Sequence, residues 1–223
     1  MAMENAISIT VPAGTKYLSN LKNENGTSFE LPNGILNKGL TGCGGTTLAL
    51  TDSNPTIITS PRKKLMSNKK KQGFDNLLVV DGDVYDSEIE EFLNNCTGVP
   101  KIFVTYDSFW RVKKCIGNEI YNWRMVLDEF HCLQTDASYK SETIISFLHQ
   151  IQDMPYVTYL SATPIHSKYL QEIPELCDKP IYTLEWEEKP EVLVARWMVG
   201  SPMAKVEDVI KQYKDGFSFC KKD

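Results

Sequence analysis

The sequence predicts a three-layer α/β domain with a mostly parallel sheet of about seven strands. Three observations support this fold class: short apolar runs recur along the chain, helix-forming segments separate them, and the alternation continues to about residue 172. Strands that alternate with helices pair in parallel and are covered on both faces of the sheet. Right-handed crossovers between such strands then produce the layered arrangement.

Seven apolar runs predict the strands, and four segments between them predict helices. The strands are expected at Ile7–Val11, Ile35–Leu36, Thr56–Thr59, Leu77–Val80, Lys101–Thr105, Met125–Leu127 and Tyr156–Leu160. The helices are expected at Thr46–Leu50, Lys63–Gln72, Glu88–Asn94 and Glu142–Ile151. Trp110 and Trp123 flank strands and are expected to anchor the core, and His149 and His166 are expected to have only core or surface roles.

Beyond residue 172 the regular alternation of strand-like and helix-like segments ends, because four prolines interrupt the chain. Strand-like pieces at Ile181–Trp186 and Val192–Val199 precede a predicted helix at Ala204–Lys214. We therefore predict one domain over residues 1–172. Residues 173–223 are expected to form a linker and the start of a truncated second domain.

The composition is that of an ordinary globular protein: 42% of the 223 residues are apolar and 24% are charged. No run of about 18 apolar residues and no secretory leader can be recognised. The six cysteines are scattered, without the spacing of a zinc site or a disulfide framework. We therefore expect reduced thiols, a cytoplasmic location and no membrane partner.

The net charge of −5 argues weakly against a general nucleic-acid binder, but the charge is unevenly distributed. Six of the ten residues from Arg62 to Lys71 are Lys or Arg. Such a run is either a solvated face or a surface that contacts phosphates.

A glycine-rich loop, Gly39–Thr46, follows the second predicted strand and precedes the first predicted helix. It has the spacing of a phosphate-binding loop, except that Gly45 occupies the lysine position. Glycines let a backbone turn tightly and aim N–H groups at phosphates, and the Thr46 hydroxyl stands where Mg²⁺ is held. The alternative is a merely Gly-rich turn or a degenerate nucleotide site. The candidate nucleotide-binding residues are Lys38, Gly39, Thr41, Gly42, Cys43, Gly44, Gly45, Thr46 and Thr47.

An acidic box follows the sixth predicted strand, where Val126-Leu127 leads directly into Asp128-Glu129-Phe130-His131. A buried strand that ends in acids places them at the carboxyl edge of the sheet, where open α/β folds bind ligands. Asp128 is a candidate ligand of Mg²⁺, and Glu129 is a candidate base for an attacking water. The alternative is a strand followed by an ordinary acidic turn.

The run Ser161-Ala162-Thr163-Pro164 follows the seventh predicted strand. Its two hydroxyl residues could bond to the neighbouring acidic edge. The alternative is a turn in which a Ser or Thr side chain bonds its own backbone and a proline follows.

Taken in order, the loop, the Asp-Glu-Phe-His box and Ser-Ala-Thr resemble the superfamily 2 helicases of DEAD/DEAH-box type over residues 30–170. Thr59–Leu65 is similar to the family's motif Ia, and Val104–Phe109 resembles its threonine-bearing segment before the acidic box. The resemblance implies a RecA-like, P-loop fold, an ATP-binding and Mg²⁺-dependent hydrolase activity, and DNA or RNA, single-stranded or duplex, as partner.

The resemblance also implies a role for each matching residue. Thr46 and Asp128 would coordinate Mg²⁺, and Glu129 would be the catalytic base. Coupling of the nucleotide site to domain movement would fall to His131, Ser161, Ala162 and Thr163. Contacts with nucleic-acid phosphates would fall to Arg62, Lys63, Lys64 and Thr105.

Gly45 departs from the family pattern, because the lysine that neutralises the β and γ phosphates is missing there. We hypothesise that Lys38, just before the loop, supplies this charge. Some viral packaging ATPases are similar in this respect, which suggests a phage or mobile-element branch. A lysine stem is flexible enough for such a relocation.

A second departure is that no arginine-rich, glycine-containing motif follows Thr163, whereas such helicases carry a second, similar domain. We therefore expect a fragment that is a poor ATPase and does not unwind nucleic acid by itself, with full activity needing a second domain. Two alternatives remain: a degenerate motor domain that acts as a nucleic-acid-binding or scaffolding module without ATPase activity, and a motor that remodels protein–DNA complexes without separating strands.

Overall fold

The computed structural model of the chain describes residues 6–23, 25–61, 66, 73–163, 170 and 173–189, without the side chains of residues 134, 135 and 137–139. Within these residues a single sheet of eight strands forms the centre of the fold. The strands are β1 (Ala6–Val11), β2 (Gly34–Asn37), β3 (Thr56–Thr59), β4 (Leu77–Val80), β5 (Lys101–Val104), β6 (Arg124–Asp128), β7 (Val157–Ser161) and β8 (Ile181–Trp186).

The strands lie in the order β1-β8-β2-β7-β6-β3-β5-β4, and all seven neighbouring pairs are parallel. The α/β class and the mostly parallel sheet are therefore confirmed. The strand count is eight because the strand-like piece at Ile181–Trp186, which we had placed in a linker, pairs with both β1 and β2.

Among the described residues, four α-helices have defined bounds, namely α1 (Gly45–Leu50), α2 (Asp86–Asn95), α3 (Phe109–Ile116) and α4 (Cys132–Ile151). The helices predicted at Thr46–Leu50 and Glu88–Asn94 are confirmed within two residues. The helix predicted at Glu142–Ile151 is the second half of α4, whose backbone kinks at Lys140. Predictions at Lys63–Gln72, Val192–Val199 and Ala204–Lys214 fall almost entirely outside the described residues.

Two apolar clusters pack on opposite faces of the sheet, because successive side chains of a strand point in opposite directions. In β2, Ile35 packs into the cluster that contains α3 and α4, whereas Leu36 packs into the cluster that contains α1. In β3, Ile57 packs into the first of these clusters and Ile58 into the second. The near-continuous apolar strands thus reflect a sheet buried on both faces, an arrangement compatible with three layers.

The first compact unit of the chain extends to Glu188, whereas the first domain was predicted to end at residue 172. β8 lies inside the sheet, between β1 and β2, and its Leu184 and Trp186 are buried. Pro180, one of the prolines that suggested a linker, immediately precedes the strand, where it removes no ladder hydrogen bond. The predicted start of a second domain beyond residue 189 lies outside the described residues.

The two tryptophans differ from each other in burial. Trp123 is buried as predicted, but Trp110 is 52% exposed, so the prediction that it anchors the core is wrong. Trp110 lies on α3, whose core-facing positions are instead taken by Phe109, Val112 and Ile116. No helix in the described part of the chain is long and apolar enough to cross a membrane.

Substitution of Gly34 by Ala is expected to destabilise the contact between β2 and the segment before β8. Gly34 has φ 140, and a Cβ there would lie 2.4 Å from the carbonyl oxygen of Pro180. That same oxygen accepts a hydrogen bond from the Ile35 N–H. Backbone strain and the clash together should lower the free energy of unfolding by at least about 2 kcal/mol.

Urea denaturation of the variant and the parent chain measures this difference. The control is Gly82→Ala, because a Cβ at Gly82 would meet no atom within 4 Å and the residue has no positive φ. Equal stability of the Gly34→Ala and Gly82→Ala variants would contradict the role given to Gly34.

Candidate functional site

Three neighbouring strands bring the predicted chemical residues to one edge of the sheet. β2, β7 and β6 lie side by side, with Asn37 opposite Ser161 and Asp128 opposite Leu160. Each strand ends at this point, so Lys38, Asp128 and Ser161 all lie at the carboxyl edge. The backbone N–H of Lys38 continues the ladder by donating to the Ser161 carbonyl at 2.8 Å.

The ammonium of Lys38 lies against both acids of the box. Its Nζ is 3.1 Å from Glu129 Oε1 and 3.5 Å from Asp128 Oδ1, and the side chains of Lys38 and Asp128 are only 6% and 2% exposed. Burial opposes the charge of Lys38, but the carboxylates of Asp128 and Glu129 outweigh it and raise the pKa of Lys38 above its ordinary value. The lysine is therefore a buried cation at this edge, stabilised by the two carboxylates.

Asp128 is held by three donors. The Thr46 hydroxyl, in the first turn of α1, donates to Oδ2 of Asp128. The Glu129 backbone N–H donates to Oδ1 at 3.0 Å, and the Lys38 ammonium approaches the same oxygen. The glycine loop and the acidic box, which are 82 residues apart in sequence, thus meet through one short contact.

Glu129 has φ 55 and is the one non-glycine residue in the described part of the chain with a left-handed backbone. This conformation lets β6 turn sharply into α4: the Phe130 N–H donates to the Leu160 carbonyl, and the Cys132 N–H donates to the Glu129 carbonyl. Left-handed backbone costs a non-glycine residue about 1–3 kcal/mol and is concentrated at functional sites. The strained turn is what aims the Glu129 carboxylate back toward Lys38.

His131 connects the box to the Ser-Ala-Thr run, and the hydrogen bonds determine its tautomer. Ser161 Oγ donates its single proton to the Thr163 carbonyl at 2.7 Å and accepts from the Thr163 N–H at 3.0 Å. His131 Nδ1 lies 2.7 Å from the same Oγ, so Nδ1 must carry a proton and donate. Glu129 Oε2, 3.4 Å from Nδ1, shares this donor.

The glycine loop turns through three left-handed residues, Gly39, Gly42 and Gly44, with φ of 71, 74 and 87. Only glycine adopts this backbone without strain. Thr41 lies on the exposed part of the loop, and Thr47 lies in α1. Burial raises the pKa of the Cys43 thiol, which favours a neutral side chain that packs in the core.

Gly45 is glycine because Leu160 occupies the space beside it. A Cβ at Gly45 would lie 2.7 Å from Leu160 Cδ2. Leu160 is fully buried and packs among residues of β6 and α1, so it cannot move aside without opening the core. A side chain at the position that usually carries the loop lysine would thus have to displace the buried Leu160, whereas Lys38 reaches the acids from the end of β2.

Thr105, the one predicted nucleic-acid residue that the structure describes, is not part of this group. Thr105 follows β5, two strands away from β6, and its hydroxyl bonds Ser108 Oγ at 3.3 Å. It lines a separate cavity whose charged residues are Asp107, Asp136 and Lys140. Arg62, Lys63 and Lys64 lie outside the described residues, so their contacts with nucleic acid stay a prediction.

Two aromatic residues beside the loop were missed by sequence reasoning. The half-exposed ring of Tyr17 lies next to Gly44, and the following residue, Leu18, donates its N–H to the Cys43 carbonyl at 2.9 Å. The indole of Trp186 donates to the Lys38 carbonyl. Both residues come from segments without a chemical motif. Tyr17 lies outside the predicted strands, and Trp186 ends a strand-like piece that was assigned to a linker, so neither was expected beside the loop.

A divalent cation at this edge would have few protein ligands. The described residues contain no group of three His, Cys, Asp or Glu side chains that could hold a metal. The Thr46 hydroxyl and the Asp128 carboxylate are hard oxygen donors in contact with each other. This donor set fits Mg²⁺, which usually binds through one or two carboxylates together with water and substrate phosphates.

In comparisons with known proteins, no family model and no curated protein matches the chain.

Replacement of Lys38 by Met is expected to increase the affinity of the site for Mn²⁺ in the absence of nucleotide. The variant leaves the Asp128 and Glu129 carboxylates without their internal cation. A unit charge at 3–4 Å is worth several kcal/mol at an effective dielectric constant of about 20, so we expect at least a tenfold gain, which is only about 1.4 kcal/mol.

The loss of the free Mn²⁺ signal in electron paramagnetic resonance measures this binding. Lys114→Met is the charge-matched control, because Lys114 is an exposed lysine that pairs with Asp86 away from the box. Adding Asp128→Asn to Lys38→Met should remove the gain. Equal Mn²⁺ affinities of the Lys38→Met variant and the parent chain would contradict the pairing of Lys38 with the acids.

Proposed function

We propose that the chain binds ATP and hydrolyses it with Mg²⁺, as a RecA-like motor domain of a nucleic-acid helicase or translocase. The observation that carries the proposal is the convergence, beside a glycine loop, of the Lys38 cation, the Asp128–Glu129 pair and the Thr46 hydroxyl. Phosphoryl transfer to water uses groups of this kind, because it depends on positioning the attacking water and on neutralising the charge of the phosphates.

Lys38 takes the role of the loop lysine in this proposal. Its ammonium is fixed beside the loop by the two carboxylates, and its flexible stem allows it to move toward a polyanion. A triphosphate carries more negative charge than the carboxylates that hold Lys38 now. Its arrival therefore draws the ammonium to the phosphates and releases Glu129.

Glu129 is the general base. Once it is released from Lys38, one of its Oε atoms accepts a proton from the attacking water, and the other stays near His131 Nδ1–H. Thr46 and Asp128 are the residues that would hold Mg²⁺, which neutralises phosphate charge when bound. The strained backbone of Glu129 keeps its carboxylate at the mouth of the loop.

His131 and Ser161 link this site to the end of β7. The hydrogen bonds from His131 to Ser161 and from Ser161 to Thr163 run away from the acid pair along the carboxyl edge. In the proposed motor this path transmits the state of Glu129 to a second domain and to bound nucleic acid. The nucleic-acid partner itself is proposed from the motif resemblance and from the basic run Arg62–Lys71.

Glu129→Gln is expected to abolish hydrolysis while ATP binding is retained. The amide keeps the shape of the carboxylate but cannot accept the proton of water, so the single-turnover rate should fall at least about 100-fold. Titration with a fluorescent ATP analogue measures binding, and release of labelled phosphate measures hydrolysis.

The Lys38→Met variant completes this test, because it should lose both the affinity for ATP and the hydrolysis of ATP. Absence of ATP binding and hydrolysis in the parent chain as well as in the variants would contradict the proposal. That outcome would support the nucleic-acid-binding or scaffolding module without ATPase activity.

Adding a lysine at the usual loop position should not restore ATP binding or hydrolysis to a chain that lacks Lys38. In the double variant Lys38→Met with Gly45→Lys, the new side chain meets Leu160 at 2.7 Å from its first carbon, so the loop is distorted instead of completed. ATP affinity and single-turnover rate should stay at the level of Lys38→Met alone. Recovery of hydrolysis in the double variant would show that the loop accepts a lysine and would contradict the account of Gly45.

A further inference from the structure

The last residue of β8, Trp186, contacts the backbone of Lys38. Its indole Nε1–H donates to the Lys38 carbonyl at 2.7 Å, in a buried contact between residues 148 positions apart. Trp186 is 7% exposed and belongs to the apolar cluster that also contains Leu36 and Leu160. A tryptophan in the core normally finds a partner for its N–H, and here the partner is the turn that begins the glycine loop.

The Lys38 carbonyl is where β2 turns into the loop. The Leu40 N–H donates to the same oxygen at 2.8 Å, which closes a three-residue turn around Gly39, whose φ is 71. A Cβ at Gly39 would lie 3.5 Å from Trp186 Cδ1, so the ring also packs against the turn. The Lys38 N–H is bound to β7, and therefore both polar groups of its backbone are fixed.

Trp186 is itself fixed by its neighbours, so its indole can hold the Lys38 carbonyl in one position. It lies opposite Val11 in the β1–β8 pair, and the Glu187 N–H donates to the Val11 carbonyl at 3.1 Å. The carboxylates of Glu187 and Glu188 accept from the N–H groups of Ala13 and Gly14. These acids are therefore engaged by the turn after β1.

We propose that Trp186 is a positioning residue that holds Lys38 on the Asp128–Glu129 pair. The four-carbon stem of a lysine allows many rotamers, so the place of its ammonium depends on a fixed Cα and backbone direction. Loss of the indole N–H leaves the Lys38 carbonyl with the Leu40 N–H as its donor, so the peptide group is held less firmly and the ammonium spends less time between the two carboxylates. The catalytic consequence rests on the proposed ATPase function, but the effect on Lys38 does not.

The test replaces Trp186 with 3-benzothienylalanine, in which a sulfur takes the place of the indole N–H while the bicyclic ring is retained. The readout is the rate of reductive methylation of Lys38 without nucleotide, followed by mass spectrometry of the peptide that contains it. We expect the rate to rise about fivefold to tenfold, the factor that corresponds to one lost hydrogen bond to a buried group.

The matched control is Trp123, which is 6% exposed and packs in the cluster on the opposite face of the sheet. The same replacement there should leave the methylation rate of Lys38 unchanged. Trp186→Phe is a second variant, and it should expose Lys38 at least as much, because it loses ring volume as well as the donor. Thermal unfolding of each variant shows whether the fold is retained.

In single-turnover hydrolysis the benzothienyl variant should lose rate at saturating ATP, while the Trp123 control should not. If no variant and no parent chain hydrolyses ATP, the ATPase proposal fails, but the reactivity of Lys38 still decides the role of Trp186. A folded benzothienyl variant in which Lys38 reacts as slowly as in the parent chain overturns the inference. Unfolding of this variant but not of the Trp123 control overturns it as well, since Trp186 would then be needed for the fold as a whole.

Discussion

The ion pair between Lys38 and the Asp128–Glu129 carboxylates is the interaction on which the rest of the site depends. Charges taken out of water cost several kcal/mol each, and their attraction offsets this only when hydrogen bonds satisfy the remaining donors and acceptors. The chain meets this condition, because Asp128 also accepts from Thr46 and from the Glu129 backbone. The contacts of Asp128 with Lys38 and Thr46 connect the end of β6 to the end of β2 and to α1. The ion pair therefore also links the glycine loop to the sheet.

The place of Lys38 follows from the packing of its neighbours. Leu160 fills the space beside Gly45, so a side chain at the loop position where phosphate-binding loops usually carry lysine would have to displace it. β7 lies between β2 and β6 in the sheet. The long side chain of Lys38 extends from the end of β2 past β7 and reaches both acids at the end of β6. The same leucine whose backbone pairs with Asp128 therefore opposes a side chain at Gly45. Strand register thus fixes the direction from which the cation comes.

Much of the sheet was predictable because its strands are apolar on both faces and end in polar residues. Thr56–Thr59 and Leu77–Val80 were predicted with the bounds that the structure has. The strand at Ile181–Trp186 was also recognised, but its place between β1 and β2 was not, since long-range pairing leaves no local mark and the flanking prolines suggested a linker. Lys38 was recognised in the sequence as a candidate substitute for the missing loop lysine, but its contact with the acidic box was not predicted. The contact of Trp186 was not predicted either, because an indole that bonds to a backbone carbonyl has no sequence pattern.

The central claim is that Lys38 replaces the missing loop lysine at the phosphates of a bound nucleotide. A crystal structure of the chain with Mn²⁺ and a non-hydrolysable ATP analogue tests it most directly, because the anomalous signal locates the metal. The account predicts that the Lys38 ammonium has left Glu129 and lies within hydrogen-bond distance of the β or γ phosphate, with the metal on Thr46 and Asp128. A nucleotide bound at this edge while Lys38 remains between Asp128 and Glu129 would contradict it, as would phosphates bound elsewhere on the chain.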